Sequence, residues 1–92
     1  MINQIFEHNK AKLTVVEQLI VRLNHKLKIL INHPNVTNAK AVARLYDAID
    51  NVIAYMYTEI TRCRVANQLD DAEYSYLKTT LDNHDCLLNS LK

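Results

Sequence analysis

Apolar residues recur along this chain in three runs at helical spacing. In the first, Phe6, Asn9, Leu13, Val16, Ile20, Leu23, Leu27 and Leu30 follow one another at alternating intervals of three and four, with polar Asn9 as the interruption. That alternation keeps a stripe on one helix face, and Leu19 and Ile31 widen it. The spacing predicts a helix over residues 2–31 whose first turns fray or bend at Asn9. The second run carries two overlapping stripes, Val42-Leu45-Ile49-Val52-Met56 and Tyr46-Ile49-Ile53-Met56-Ile60-Cys63. A helix apolar over so wide an arc, here residues 38–66, touches two neighbours at once. The third run, Tyr74, Leu77, Leu81, His84, Leu88 and Leu91, predicts a helix over residues 71–91.

Turn chemistry separates the runs. In Asn32-His33-Pro34-Asn35, Pro34 cannot continue the hydrogen-bond ladder and pushes His33 out of the α region. Thr37 or Asn38 is the expected cap of the second helix. Asp70-Asp71-Ala72-Glu73 reads as a capping box: Asp70 accepts from the N–H of Glu73, and the Glu73 side chain reaches back to Asp70. Leu69 and Tyr74 flank it as a hydrophobic staple, and the acidic first turn suits the helix dipole.

Two short connections make neighbouring helices antiparallel. The expected fold is therefore all-α: one domain spanning residues 1–92, an up-down-up three-helix bundle of two long helices and a shorter third. At 1.5 Å per residue the long helices run about 43 to 45 Å and the third about 30 Å. The third should stop roughly 12 Å short of the hairpin tip.

Composition narrows the function classes. Hydrophobic residues make up 49% of the chain and charged residues 23%, which are globular proportions. The chain has no Gly, so phosphate cradles built on glycine are excluded. No apolar run reaches the ~18 residues of a membrane span, so no membrane partner is expected. The N-terminus lacks a basic segment followed by an apolar stretch, and a cytoplasmic location is the expectation.

Side chains that could carry chemistry are scattered. Cys63 and Cys86 fall about 6 Å and about 24 Å up the bundle, too far apart for a disulfide, whose Cα atoms lie within about 7 Å. Both are expected as free, buried or half-buried thiols. His8, His25, His33 and His84 include no pair at the i, i+4 spacing of a metal face, and His84 is expected partly buried on the core stripe. Tyr46 and Tyr74 fall on core stripes, whereas Tyr55, Tyr57 and Tyr76 are expected at flank or surface. Ser75 and Ser90 lack a nucleophile elbow, and Asp47 with Asp50, or Asp82 with Asp85, read as solvated pairs. No enzyme, cofactor or metal site is expected.

Charge is the most informative feature. The net charge is +1, yet no acidic residue lies between Glu17 and Asp47, a stretch holding Arg22, Lys26, Lys28, Lys40 and Arg44. From Asp47 onward acidic residues outnumber basic ones eight to four. The Pro34 turn folds the basic stretch onto itself, where the third helix falls short and Leu27, Leu30 and Val42 lie. An apolar patch rimmed by cations marks an interaction surface.

Within that hairpin, the run Tyr-Asp-Ala-Ile-Asp-Asn-Val-Ile-Ala-Tyr-Met-Tyr after an Asn-rich turn resembles the second helix of small helical-hairpin chaperones of bacterial secretion systems. The likeness covers under a quarter of the chain, the third helix departs from the pattern, and no residue roles are carried over. The expected function is a non-enzymatic protein-interaction module (adaptor, chaperone or inhibitor) acting on a larger protein with an acidic surface. Its expected contacts are Arg22, Lys26, Leu27, Leu30, Lys40, Val42 and Arg44. Nucleic-acid binding by the basic tip, residues 22–44, is the alternative. A homodimer is expected only along the bundle flank, since two tips meeting would bring like charges together.

Overall fold

A computed structural model describes residues 2–92. Three helices follow in order: α1 (Gln4–Asn32), α2 (Val36–Val65) and α3 (Asp71–Ser90). They form the antiparallel three-helix bundle that the spacing predicts, 50 Å long and 19 by 18 Å across.

Each start is fixed by a polar cap. Asn3 caps α1, its Oδ1 accepting from the N–H groups of Ile5 at 3.0 Å and Phe6 at 3.3 Å. The cap of α2 is Asn35, not Thr37 or Asn38. Asn38 is the third helical residue: its N–H donates to Asn35 Oδ1 at 2.8 Å and its side chain donates to the His33 carbonyl at 2.9 Å. The helix thus starts directly after the proline turn, two residues earlier than the sequence reading. At α3 the capping box closes as expected, with Glu73 N–H donating to Asp70 Oδ1 at 2.7 Å and Asp70 N–H donating to Glu73 Oε1 at 3.0 Å. Asn3 Nδ2 also donates to that Glu73 oxygen, at 3.0 Å, and to the Gln68 carbonyl at 2.9 Å. Two helix starts are stitched together by one amide. Replacing Asp70 with Ala is expected to cost about 0.5 to 2 kcal/mol in denaturant unfolding. A loss below ~0.3 kcal/mol would show that Asp70 does not hold this end.

The α2–α3 turn works without glycine. Asn67 takes the left-handed conformation, φ 59°, which Asn tolerates better than most residues. Its N–H donates to the Arg64 carbonyl at 3.1 Å and that of Gln68 to the Cys63 carbonyl at 2.8 Å. These two bonds are the Schellman pairing that closes a helix end. Leu69 is buried immediately afterwards, and Tyr74 packs on the same core.

The core runs along the axis from Leu13, Val16, Ile20 and Leu23 through Ile49, Ile53, Met56, Ile60 and Cys63 to Leu77, Leu81 and Leu88. Asn9 sits within it at 2% exposure. Its Nδ2 donates to the Ile5 carbonyl at 2.8 Å, so α1 stays continuous through a residue expected to fray or bend it. Cys63 is buried and Cys86 exposed, both free. Cys86 thus departs from the expected burial, lying two residues from the buried Leu88 and off the core stripe. His84 is half-buried.

Tyr57 lies at the flank of the core, as the spacing predicts. It is half-buried against the core, and its hydroxyl donates to Asp82 Oδ1 at 2.5 Å, tying α2 to α3. That hydrogen bond, helped by nearby Lys78, holds the Asp82 carboxyl below its ordinary range. Burial, reinforced by the Asp82 bond, pushes the Tyr57 phenol above its ordinary value. Because Asp82 is lowered in the fold, its contribution to stability is present above about pH 4 and fades as pH falls through the lowered value. The raised Tyr57 contributes below its ordinary pKa of about 10, and that contribution fades only as pH rises beyond it. Tyr57→Phe is expected to cost about 1 to 2 kcal/mol at neutral pH and to shrink this acid-side loss. Unfolding curves across the acidic range check both, and an unchanged pH dependence in the variant would contradict the assignment.

Candidate docking surface

The third helix ends below the hairpin tip, as the length mismatch predicts. Near its end, the Tyr46 hydroxyl donates to Asn89 Oδ1 at 3.0 Å, and the Lys92 ammonium lies 5.6 Å from the Tyr46 ring centroid. Residues 36–46 of α2 therefore rise about 15 Å above this hydrogen bond to α3. The tip is less open at the expected contacts than elsewhere. Leu27, Leu30 and Val42 are half-buried, and Leu27 and Val42 pack on the core cluster. Two antiparallel helices at close distance cover each other's facing side chains without a third. The exposed aliphatic residues at the tip are Ile29, Ile31 and Val36 instead.

The cations do not share one face either. Arg22, Lys40 and Arg44 are exposed and Lys26 is half-buried. At 100° per residue, Arg22 and Lys26 extend a stripe from Lys12, Val15 and Leu19, at intervals of three and four. Lys28 turns away from that stripe on α1, whereas Lys40 lies one turn before Arg44, about 40° from it on the same side of α2. On α2, Arg44 leads a second stripe through Ala48, Asn51 and Tyr55 at intervals of four and three.

These two stripes border a groove between α1 and α2 on the side away from α3. It measures about 410 Å³ and is lined by Lys12, Val15, Asn51, Val52, Tyr55 and Met56. Its apolar lining is open to solvent: Val15 is 53% exposed, Val52 38% and Tyr55 59%. The Lys12 ammonium sits 5.4 Å from the Tyr55 ring centroid, a cation–π contact that holds the ring's edge of the groove. Antiparallel register sets Lys12 opposite Tyr55 and Val15 opposite Val52. Carried upward, it brings Arg22, Lys26 and Arg44 to the same side, about 10 to 17 Å above the apolar lining. Among the described residues, none of these three takes part in an ion pair. Glu59, lower on the same side of α2, is already engaged: Arg62 bonds it at 2.5 Å, and that bond, aided by the charges of Arg62 and Lys12, holds its carboxyl below the ordinary range.

Of the expected contacts, Arg22, Lys26 and Arg44 stand above this groove, whereas its lining residues Lys12, Val15, Val52 and Tyr55 are not among those expected from the sequence. The spacing puts Val52 on a core stripe and Tyr55 at flank or surface. The available signal was the stripe Lys12-Val15-Leu19-Arg22-Lys26, which runs beside the core stripe at the same spacing and marks a second, narrower apolar strip.

A second cavity of about 350 Å³ lies between α1 and α3, lined by Glu7, Lys10, Thr14, Tyr76 and His84 among others. Two of its lining charges pair with each other, while Glu17, also in the lining, is in no ion pair among the described residues. Lys10 pairs with Glu7 at 3.9 Å and lies 5.3 Å and 5.7 Å from the Phe6 and Tyr76 ring centroids. Among the described residues no group of three His, Cys, Asp or Glu side chains could hold a metal ion, and no helix is long and apolar enough to cross a membrane. Comparison of the chain with known protein families, with curated proteins and with solved structures finds no match, so this surface alone carries the functional reading.

Proposed function

We propose that this chain is a non-enzymatic protein-interaction module, an adaptor, chaperone or inhibitor that binds a larger protein through the hairpin of α1 and α2. One observation carries the reading: an open apolar groove on the hairpin face away from α3, with Arg22, Lys26 and Arg44, in no ion pair among the described residues, above it. Exposed apolar surface rimmed by charge is how non-obligate interfaces are built, with an anhydrous centre and a polar rim. The acidic C-terminal half disfavours a duplex lying along the bundle, since it would repel phosphate.

Nucleic-acid binding by the tip is the second reading. It is favoured by the five consecutive basic charges between Glu17 and Asp47, none of them ion-paired among the described residues. Salt and nuclease separate the two. Phosphate-dominated binding weakens steeply with salt, by about 10³ or more between 50 and 200 mM for six or more contacts; an apolar docking site is far less sensitive. The full chain, immobilised and exposed to native lysate, is expected to retain a discrete protein after nuclease treatment and at elevated salt. Retention abolished by nuclease would overturn the proposal in favour of nucleic acid.

A further inference from the structure

The α1–α2 groove is half of a helix-packing site. Two antiparallel helices present a concave seam on each side; α3 fills one, and the other is open with Val15, Val52 and Tyr55 in it. Seams of this kind accept a helix whose apolar stripe interdigitates with the side chains on both walls. The seam from Lys12 to Lys26 is about 21 Å long, which is about 14 residues of helix.

Charge decides what kind of helix fits. Of the side chains on the two stripes, Lys12, Arg22, Lys26 and Arg44 are cationic, and Glu59 is held by Arg62. A basic or neutral helix would leave the upper cations facing like charge or nothing. A second copy of this chain fares no better. A parallel approach sets Arg22, Lys26 and Arg44 against themselves. A twofold antiparallel approach sets them against the lower end of the seam, where the carboxylate of Glu59 is already committed and Lys12 and Arg62 add repulsion. Carboxylates spaced about 10 to 17 Å from an apolar anchor satisfy both parts of the surface.

Resting on the reading as an interaction module, we infer that the open α1–α2 seam takes an acidic amphipathic helix from a partner protein. That helix lies as a fourth helix across from α3, its aliphatic stripe on Val15, Val52 and Tyr55 and its carboxylates on Arg22, Lys26 and Arg44.

The test uses the full chain and a synthetic probe. The probe is a fluorescein-labelled amphipathic peptide of about 18 residues, Leu along one stripe and Glu on the flanks, beside a twin with Lys for every Glu. Fluorescence anisotropy should show the acidic peptide binding at least about tenfold more tightly than its twin. Val52→Asp should weaken it at least about tenfold, and Arg22→Glu with Arg44→Glu should erase the preference for the acidic peptide. Tyr55→Asp is the second groove variant, should Val52→Asp fail to fold. Ile31→Asp, at the exposed tip, should leave binding unchanged. Loss of binding in Ile31→Asp but not in the groove variants would put the site at the tip, overturning this inference while leaving the module reading intact. Failure of the acidic peptide to bind more tightly than its twin would overturn it as well. A wild-type dimer that Val52→Asp converts to a folded monomer would make a second copy the occupant and likewise overturn it. A duplex oligonucleotide that displaces the acidic peptide and binds more tightly would overturn both.

Discussion

Replacing Asn9 with Leu is expected to stabilise the bundle by about 1 to 3 kcal/mol. Asn9 is 2% exposed, and its Oδ1 has no hydrogen-bond partner among the described residues. An unpaired buried acceptor costs about 1 to 3 kcal/mol. Leu, similar in size, removes that cost and adds apolar contact on the stripe already formed by Phe6 and Leu13. The bond lost, from Asn9 Nδ2 to the Ile5 carbonyl, leaves that carbonyl with its helical N–H partner. In a domain of this size each kcal/mol moves the melting temperature by about 4 to 8 °C, so thermal unfolding reads the change directly. A lower melting temperature would show that Oδ1 is bonded to a buried water worth keeping.

Leu81→Ala is expected to cost about 2 to 5 kcal/mol, whereas Val52→Ala should cost under about 1 kcal/mol. Leu81 is wholly buried in the middle of α3, and truncation there leaves a cavity that two other helices cannot collapse into. Val52 is 38% exposed on the groove, so water already reaches part of it. Small domains have stabilities of order 5 kcal/mol, so Leu81→Ala should leave the chain marginally folded. The contrast carries a functional meaning: groove residues that matter little for folding are available for another purpose. Denaturant midpoints for the pair check it, and equal losses at the two positions would make Val52 a core residue and close the groove as a site.

The three helices were legible because the core stripe repeats without a break long enough to change phase. Their ends were legible where the chemistry is local. Asp70 and Glu73 stand three apart with an acidic turn between them, and no other reading of that segment satisfies as many N–H groups. The start of α2 was harder, since Asn35, Thr37 and Asn38 all cap well by type. Only geometry shows Asn38 spending both its N–H and its side chain on residues before the helix, which makes Asn35 the cap. Asn9 misled for a similar reason: polarity marked it as a break, but its amide reaches the Ile5 carbonyl on the same helix and lets the residue stay inside.

The candidate surface was half legible. Arg22, Lys26 and Arg44 stand out because acidic residues are missing around them. The tip drew attention as the place where α3 falls short, yet Leu27 and Val42 are covered by the hairpin's own packing. What sequence could not rank was how deeply each flank position lies between two close helices. Val15 and Leu19 share one stripe with Arg22, but Val15 stays open while Leu19 packs against the core.

The most direct test of the account is to titrate the acidic helical peptide into isotopically labelled protein and follow the backbone amide resonances. The account predicts perturbations along residues 12–26 of α1 and 41–59 of α2, with the outer face of α3 and residues 29–36 of the tip unchanged. Perturbations centred on α3 or on the tip would contradict it.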